Sequence, residues 1–253
     1  MEKIRSSFAI LLAITLPVAT TAQEIQPKDT IIVTATRTEI PVSDAIVPVT
    51  VITREQIEQS LATDLAELVR FEAGIDIGRS GGPGQSTSIF LRGTESNHTL
   101  VLIDGVRMNP GTIGGAAIQN ISPEIIERIE IVKGARSALF GTDAIGGVIN
   151  IITKRSTRTY AEGSVGGGSF NTQSGFAAVG SLNNNGEFGV SFNWQNTDGF
   201  PTRIGSDLDR GYDNLSTNIY LRKHLKKNDV SLRHWRSTGM VEYLDFFLAP
   251  LTQ

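Results

Sequence analysis

The chain has 253 residues, a net charge of −3 and no cysteine. This length allows one large or two small domains. The small negative charge gives no reason to expect nucleic-acid binding. The lack of cysteine excludes disulfides, thiolate chemistry and Cys-ligated zinc. The three histidines lie far apart in the sequence, and no pattern indicates an enzyme.

The amino terminus is typical of an export signal. Lys3 and Arg5 precede an apolar run over 8–18, and small residues follow up to Ala22. We predict that residues 1–22 form a signal peptide cleaved after Ala22. The alternative is a single anchoring helix, but the run is too short to cross ~30 Å of hydrocarbon at ~1.5 Å per residue.

A β-branched segment follows the predicted signal peptide. It comprises Asp29, Thr30, Ile31, Ile32, Val33, Thr34, Ala35 and Thr36. An extended segment near a free end can add a strand to the sheet edge of another protein. The alternative is an ordinary first strand of the domain that follows.

Residues 49–74 predict a strand and two helices. The strand covers 49–52, and Thr53 with Gln56 forms the capping-box pattern that starts the first helix. The second helix is expected to start near Thr63 and Asp64 and to end at Gly74. It should bury Leu65, Leu68 and Val69.

Residues 88–154 predict further strands separated by turns. Strands are expected at 88–92 and 99–103, and Asp104-Gly105 gives a tight hairpin turn. An almost uncharged loop covers 109–117, and Ser122 caps a short helix that has Pro123 at its first position. The stretch 128–154 reads as a strand with one drier face, a helical turn and a second, almost fully apolar strand.

The pattern changes after Lys154 to alternation with a period of two. Phe188, Val190, Phe192 and Trp194 alternate with polar or small residues, and so do Leu215, Thr217, Ile219 and Leu221. Strands of outer-membrane barrels alternate in this way, with apolar side chains toward lipid and polar ones toward the lumen. A soluble sandwich with one wet face is the alternative.

An acidic stretch lies between these two groups of strands. Asp207 and Asp209 stand two residues apart within it. Carboxylates clustered on a loop can bind calcium. The alternative is a solvated acidic loop.

Two sequence blocks carry a resemblance to a known family. KGARSALFGTDAIGGVINIITK at 133–154 and SIFLRGTESNHTLVLIDGVRMN at 88–109 resemble the plug domain of TonB-dependent outer-membrane receptors. The resemblance implies an α+β plug domain, with a mixed four-stranded sheet and short helices, followed by the first antiparallel strands of a transmembrane β-barrel. It divides the chain into a signal peptide (1–22), a TonB-box segment and linker (23–44), the plug (45–155) and barrel strands (156–253).

Within the family, the chain is most similar to the cobalamin receptors. That likeness implies that residues 29–36 are the TonB box, the segment gripped by the TonB protein. It implies ligand contacts at Ser86, Ser88, Glu95, Ile113 and Gly114, and calcium at Asp207 and Asp209. The implied function is TonB-energised import of cobalamin across the outer membrane, with no catalytic residue and no cofactor beyond possible calcium.

Two other functions stay open at this stage. A receptor of the same family could import a ferric siderophore or another metal chelate, and a secreted soluble α+β binding protein is a reading from another class. Residues 160–253 give room for roughly six membrane strands, whereas barrels of this family have about 22. We therefore expect the sequence to be an amino-terminal fragment of a longer receptor.

Overall fold

Two bodies of β structure follow one another along the chain, and they meet where the sequence pattern changes. The computed structural model describes residues 31–32, 40–41, 48–111, 114–244 and 250–252. The predicted signal peptide, most of the 29–36 segment and Ile113 lie outside the described residues.

Two short strands lie in the leader before the first domain. β1 (Ile31–Ile32) and β2 (Ile40–Pro41) pair antiparallel, with Ile31 opposite Pro41 and Ile32 opposite Ile40. In the described residues this pair joins no larger sheet. The predicted TonB box therefore contributes its described strand to the leader and not to the sheet of the following domain.

Residues 48–153, here called the plug domain, contain seven strands and three short helices. The strands are β3 (Val49–Ile52), β4 (Ile75–Arg79), β5 (Thr87–Leu91), β6 (Thr99–Ile103), β7 (Val106–Arg107), β8 (Ile126–Lys133) and β9 (Gly147–Thr153). The helices are α1 (Arg54–Ser60), α2 (Leu65–Val69) and α3 (Ser137–Phe140). Single 3-10 turns cover 96–98, 118–120, 123–125 and 142–144.

The central sheet of the plug domain is mixed, as the resemblance implies. Its order is β3-β8-β9-β6-β7, and only β6 and β9 run parallel. Each of its four longer strands lies where the sequence predicts a strand. The fifth, β7, has two residues and arises because the Asp104-Gly105 turn folds the chain back onto β6.

Apolar side chains cover both faces of this sheet. On one face, α1 and α2 add Ile57, Leu65 and Val69 to an aliphatic core that includes Ile129 and Ile149. On the other face lies a smaller cluster of Leu100, Leu102, Ala144 and Val148, packed by Phe140. Burial of apolar area at about 25 cal/mol per Å² stabilises this arrangement.

Three details of the predicted plug differ from the structure. The strand β8 is covered on both faces between Ile129 and Val132, because even Glu130 is fully buried, with its carboxylate 2.7 Å from Arg128. The strand β4 was not among the predicted elements, and it pairs with the predicted strand β5 in a separate hairpin. The helix α2 ends at Val69, short of Gly74, because the chain turns back through hydrogen bonds to the carbonyls of Val69 and Glu72.

The helix starts follow the sequence signals closely. Thr53 accepts a hydrogen bond from the Gln56 amide while the Gln56 side chain accepts one from Thr53, so the predicted capping box is confirmed. Asp64 caps α2, and Ser122 caps the turn that begins at Pro123. Leu65 and Val69 are fully buried, and Leu68 nearly so.

A six-stranded antiparallel sheet, here called the wall sheet, follows the plug domain. Its strands are β10 (Tyr160–Gly168), β11 (Thr172–Asn183), β12 (Gly186–Thr197), β13 (Tyr212–His224), β14 (Asp229–Leu244) and β15 (Pro250–Thr252), paired in sequence order. Phe176 and Trp235 on one face pack against the plug core. Side chains two residues apart share a face, so Phe192 and Trp194 point away from the plug.

The wall sheet confirms the predicted alternation. The outward side chains of β12 at 188, 192 and 194 are 40%, 49% and 38% exposed and all aromatic. The inward positions between them are Gly189, Ser191, Asn193 and Gln195. None of the helices in the described ranges is long and apolar enough to cross a bilayer.

A substitution at Gly147 tests how closely β9 packs against β8 and β5. Its φ is +153°, and a Cβ there would lie 2.3 Å from the Val132 carbonyl oxygen and 2.5 Å from Leu91 Cδ2. We expect Gly147→Ala to lower the free energy of plug unfolding by about 2 to 4 kcal/mol, from strain and overpacking. A denaturant titration followed by protease digestion measures this.

The control is Gly111→Ala. A Cβ at Gly111 meets nothing within 4 Å, so this variant should unfold like the parent. Equal stability of the Gly147 variant and the parent would contradict the described approach of β9 to β8.

Candidate functional site

A cavity of about 920 Å³ lies between the plug domain and the wall sheet. The plug side contributes residues 80–86 and 117–120, and the wall side contributes the loop before β13 and the facing parts of β13 and β14. Its lining is dominated by uncharged polar side chains: Ser80, Gln85, Ser86, Gln119, Asn120, Thr202, Tyr212, Asn214, Ser237, Thr238 and Tyr243. Among the described residues, Arg203 is the one charged side chain in the lining.

Tyr212 is the side chain that joins the two sides of the cavity. Only 6% of it is exposed, and its hydroxyl donates a 3.0 Å hydrogen bond to Asn120 Oδ1. Its ring lies directly against Gly84, where a Cβ would come within 2.0 Å of Cδ2. Glycine at this position therefore allows the wall tyrosine to reach the plug loop.

The loop between β4 and β5 holds Ser86 at the cavity. The Ser80 amide donates to the Ser86 carbonyl at 3.0 Å, which closes the loop on itself. Gln85 Nε2 donates to the Glu242 carbonyl at 2.7 Å, which ties the loop to β14. The loop thus depends on both bodies for its position.

The floor of the cavity is connected to the helices behind it. The turn containing Asn120 leads into Ile121, whose carbonyl accepts a 3.1 Å hydrogen bond from the Leu65 amide at the start of α2. Asp64 caps α2 through the Glu67 amide and forms an ion pair with Arg79 at the end of β4. Burial raises the pKa of the Asp64 carboxyl, and the Arg79 guanidinium opposes this shift.

A second set of contacts joins the end of the plug domain to the wall sheet. Asp104 accepts hydrogen bonds from the backbone N–H of Thr153 at 3.1 Å and from its hydroxyl at 2.6 Å, and forms an ion pair with Arg233 of β14. The Arg233 guanidinium stacks 5.0 Å from the Tyr220 ring centre. Ser156 in the linker donates to the Phe188 carbonyl at 2.5 Å.

The structure places the ligand contacts implied by the resemblance in different regions, and only one of those described lines the cavity. Ser86 lines the cavity, whereas Ser88 is half-buried on β5 opposite Gly78. Glu95 is exposed before the 96–98 turn, and Gly114 lies close to Asn97 in that same turn. Glu95 and Gly114 thus border one turn outside the cavity lining, and their role as ligand contacts stays a prediction.

The predicted calcium ligands lie on the long connection between β12 and β13. Asp207 and Asp209 are both exposed there. Within the ranges that the structure describes, no three His, Cys, Asp or Glu side chains gather in a way that could hold a metal ion. Calcium binding at this loop stays a prediction.

Sequence reasoning missed the wall side of the cavity. Tyr212, Asn214 and Ser237 line it from the inward positions of β13 and β14. The alternation predicts that these positions face inward. It does not predict which height along the strands meets the 80–86 loop, because that depends on how the two bodies pack.

Comparison with known proteins supports the resemblance. Residues 41–148 match the family described as TonB-dependent Receptor Plug Domain. The chain is 36% identical over 255 residues to the vitamin B12 transporter BtuB of Photobacterium profundum, covering 98% of this chain and 42% of that protein. It is 41% identical over 213 residues to that of Vibrio cholerae, covering 83% of this chain and 33% of that protein.

Solved structures show the same fold. The pyoverdine outer membrane receptor FpvA of Pseudomonas aeruginosa aligns with a TM-score of 0.71 at 20% identity, covering 84% of this chain and 30% of that one. The siderophore receptor PiuA of Acinetobacter baumannii aligns with a TM-score of 0.65 at 25% identity, covering 81% and 28%.

The chain therefore spans only part of the length of these relatives. Its plug domain, mixed sheet and following antiparallel strands agree with them in sequence and in fold. By its plug domain, this chain belongs to the family of TonB-dependent receptors.

Proposed function

We propose that the chain is part of an outer-membrane receptor that imports cobalamin with energy supplied through TonB. The observation that carries the proposal is the cavity of about 920 Å³ with its uncharged polar lining. Its volume suits a large ligand, since ligand sites generally measure about 300–1,000 Å³. The proposal includes no covalent step.

The chemistry of the lining favours a corrinoid over a metal chelate. Cobalamin carries a rim of neutral amides, which pair with amide and hydroxyl side chains such as Gln119, Asn120 and Ser237. Many ferric chelates are anionic and would be expected to meet several cations. Here Arg203 is the single cation in the described lining. Relatives at 36–41% identity carry the name vitamin B12 transporter, which supports the same choice.

The siderophore alternative rests on the likeness in fold. FpvA and PiuA are receptors for siderophores, at 20% and 25% identity. Fold alone does not determine the ligand, because function depends on the residues of the site.

The two faces of the wall sheet support a place in the outer membrane. Outward side chains such as Phe188, Phe192 and Leu221 are apolar and exposed, as lipid-facing positions of a barrel are. Inward positions are mostly polar or small, apart from side chains such as Phe176 and Trp235 that pack against the plug. Soluble secreted proteins rarely expose an apolar surface of this kind to water, so this face argues against the soluble alternative.

In this proposal, the leader is the segment through which TonB acts on the plug domain. TonB would add a strand to the TonB box at 29–36, to which Ile31 and Ile32 belong, and pull on the chain that enters the plug at β3. Ligand bound in the cavity beside Tyr212 and the 80–86 loop would be released when the plug moves away from the wall.

Ligand choice is the direct test. We expect the receptor, expressed from its gene and purified in detergent, to bind cyanocobalamin and to leave ferric pyoverdine unbound. Equilibrium binding by tryptophan fluorescence, with each compound competing against the other, measures this. Tighter binding of the ferric chelate would refute the cobalamin assignment and leave the family unchanged.

Gly84 tests whether the cavity is the binding site. Because a Cβ would collide with Tyr212, we expect Gly84→Ala to displace the ring and weaken cobalamin binding about tenfold, equivalent to 1.4 kcal/mol. Gly111→Ala is the matched control and should bind like the parent. Unchanged affinity of the Gly84 variant would place the ligand elsewhere.

Ile32 tests the leader. Proline has no N–H and fits poorly within paired strands, so we expect Ile32→Pro to lower cobalamin uptake by cells about tenfold or more while binding to isolated membranes stays the same. Ile32→Val keeps the N–H and should import normally. A proline variant with full uptake would rule out strand addition at this segment.

A further inference from the structure

The outward face of the described wall sheet is mostly apolar, and ionisable side chains lie within it at one place. The pairing register aligns its side chains in rows, such as Phe192, Thr217 and Arg236 in one row and Trp194, Leu215 and Thr238 in the next. In the described wall sheet, the other ionisable outward side chains lie near the strand ends, among them Lys223 and Asp213. Of the ionisable outward side chains in the described wall sheet, Arg236 and His234 are the two that lie within the apolar band.

The height of Arg236 follows from its neighbours. Trp194, one row away, donates from Nε1 to Asp213 Oδ2 at 3.3 Å, so its polar edge points toward the strand ends that carry the long 198–211 connection. Tryptophan is enriched where a bilayer meets water. Outer-membrane barrels have short turns on the periplasmic side and longer loops outside. Arg236 therefore lies about one row below the outer surface of the bilayer.

Nothing in the described wall neutralises this cation. Arg236 is exposed and forms no ion pair with any described residue, and its cross-strand neighbour is Thr217. An arginine facing lipid is costly at mid-bilayer and tolerated near the interface. Its long stem can carry the guanidinium to that level. There it would meet the headgroups of outer-leaflet lipids.

We propose that Arg236, with the hydroxyl of Thr217 beside it, binds a phosphate group on an outer-leaflet lipid. A guanidinium pairs with phosphate through two parallel hydrogen bonds, and its positive charge complements the anion. Thr217, directly opposite Arg236 on the adjacent strand, supplies a further donor. This inference rests on the outer-membrane placement proposed above.

The test measures lipid retention by the receptor. The protein, expressed from its gene, is placed in phosphatidylcholine nanodiscs containing a minor fraction of lipid A, and native mass spectrometry counts the lipid A that stays bound. We expect Arg236→Gln to retain lipid A about tenfold less tightly. Arg236→Lys, which keeps the charge without the planar fork, should fall between this variant and the parent.

Two controls distinguish a specific phosphate site at Arg236 from nonspecific attraction between lipid phosphate and any outward cation. Lys223→Gln removes an outward cation at the opposite end of the strands and should retain lipid A like the parent. Dephosphorylated lipid A should bind the parent as weakly as lipid A binds the Arg236→Gln variant. This second control needs no variant, so it remains decisive if Arg236→Gln fails to fold.

Several outcomes would overturn the inference. Equal retention by the parent and Arg236→Gln would do so, as would equal loss in the Lys223 variant. An acidic protein that copurifies with the parent and is lost with Arg236→Gln would assign the surface to a protein partner. A receptor that inserts and imports cobalamin but ignores lipid phosphate defeats this inference alone, whereas failure to enter a bilayer defeats the proposed function as well.

Discussion

The pairing register of the wall sheet is the constraint on which the other features depend. Side chains alternate between faces with a period of two, so a slip of one residue would exchange every inward and outward position. The observed register places Tyr212 and Tyr220 toward the plug and Phe192 and Trp194 away from it. The cavity, the plug contacts and the apolar outer face all follow from this single choice.

Glycines in the wall sheet make room for the plug connection. Gly180 and Gly189 face inward beside the linker, and a Cβ on Gly180 would lie 2.2 Å from Ser156 Oγ and 2.4 Å from Tyr160 Cε1. The joint itself consists of hydrogen bonds and ion pairs, such as Asp104 with Arg233, together with a few apolar contacts. Contacts between domains of this polar kind are compatible with relative motion, whereas the aliphatic core within the plug favours a fixed arrangement.

Much of the fold could be predicted from local sequence signals, and the failures have a common cause. The capping box at Thr53, the turn at Asp104-Gly105 and the alternation of β12 are decided by neighbouring residues, and each was predicted correctly. The burial of Glu130 on β8 and the hairpin of β4 with β5 depend on which distant segments pack against them. The resemblance implies a ligand contact at Ser86, which lines the cavity. That Tyr212 lines the same cavity could not be predicted, because it depends on how the two bodies pack.

The proposed ligand cavity is linked by hydrogen bonds and packing to the place where the leader enters the plug domain. Asn120 receives the Tyr212 hydrogen bond, and the next residue, Ile121, accepts one from Leu65 at the start of α2. A shift of Tyr212 on binding would therefore act on α2 through two successive hydrogen bonds. The helix packs in the same core as α1, which directly follows β3, where the leader enters the plug domain. Because packed cores switch between discrete arrangements and do not deform smoothly, a small displacement at the cavity can change the packing where the leader begins.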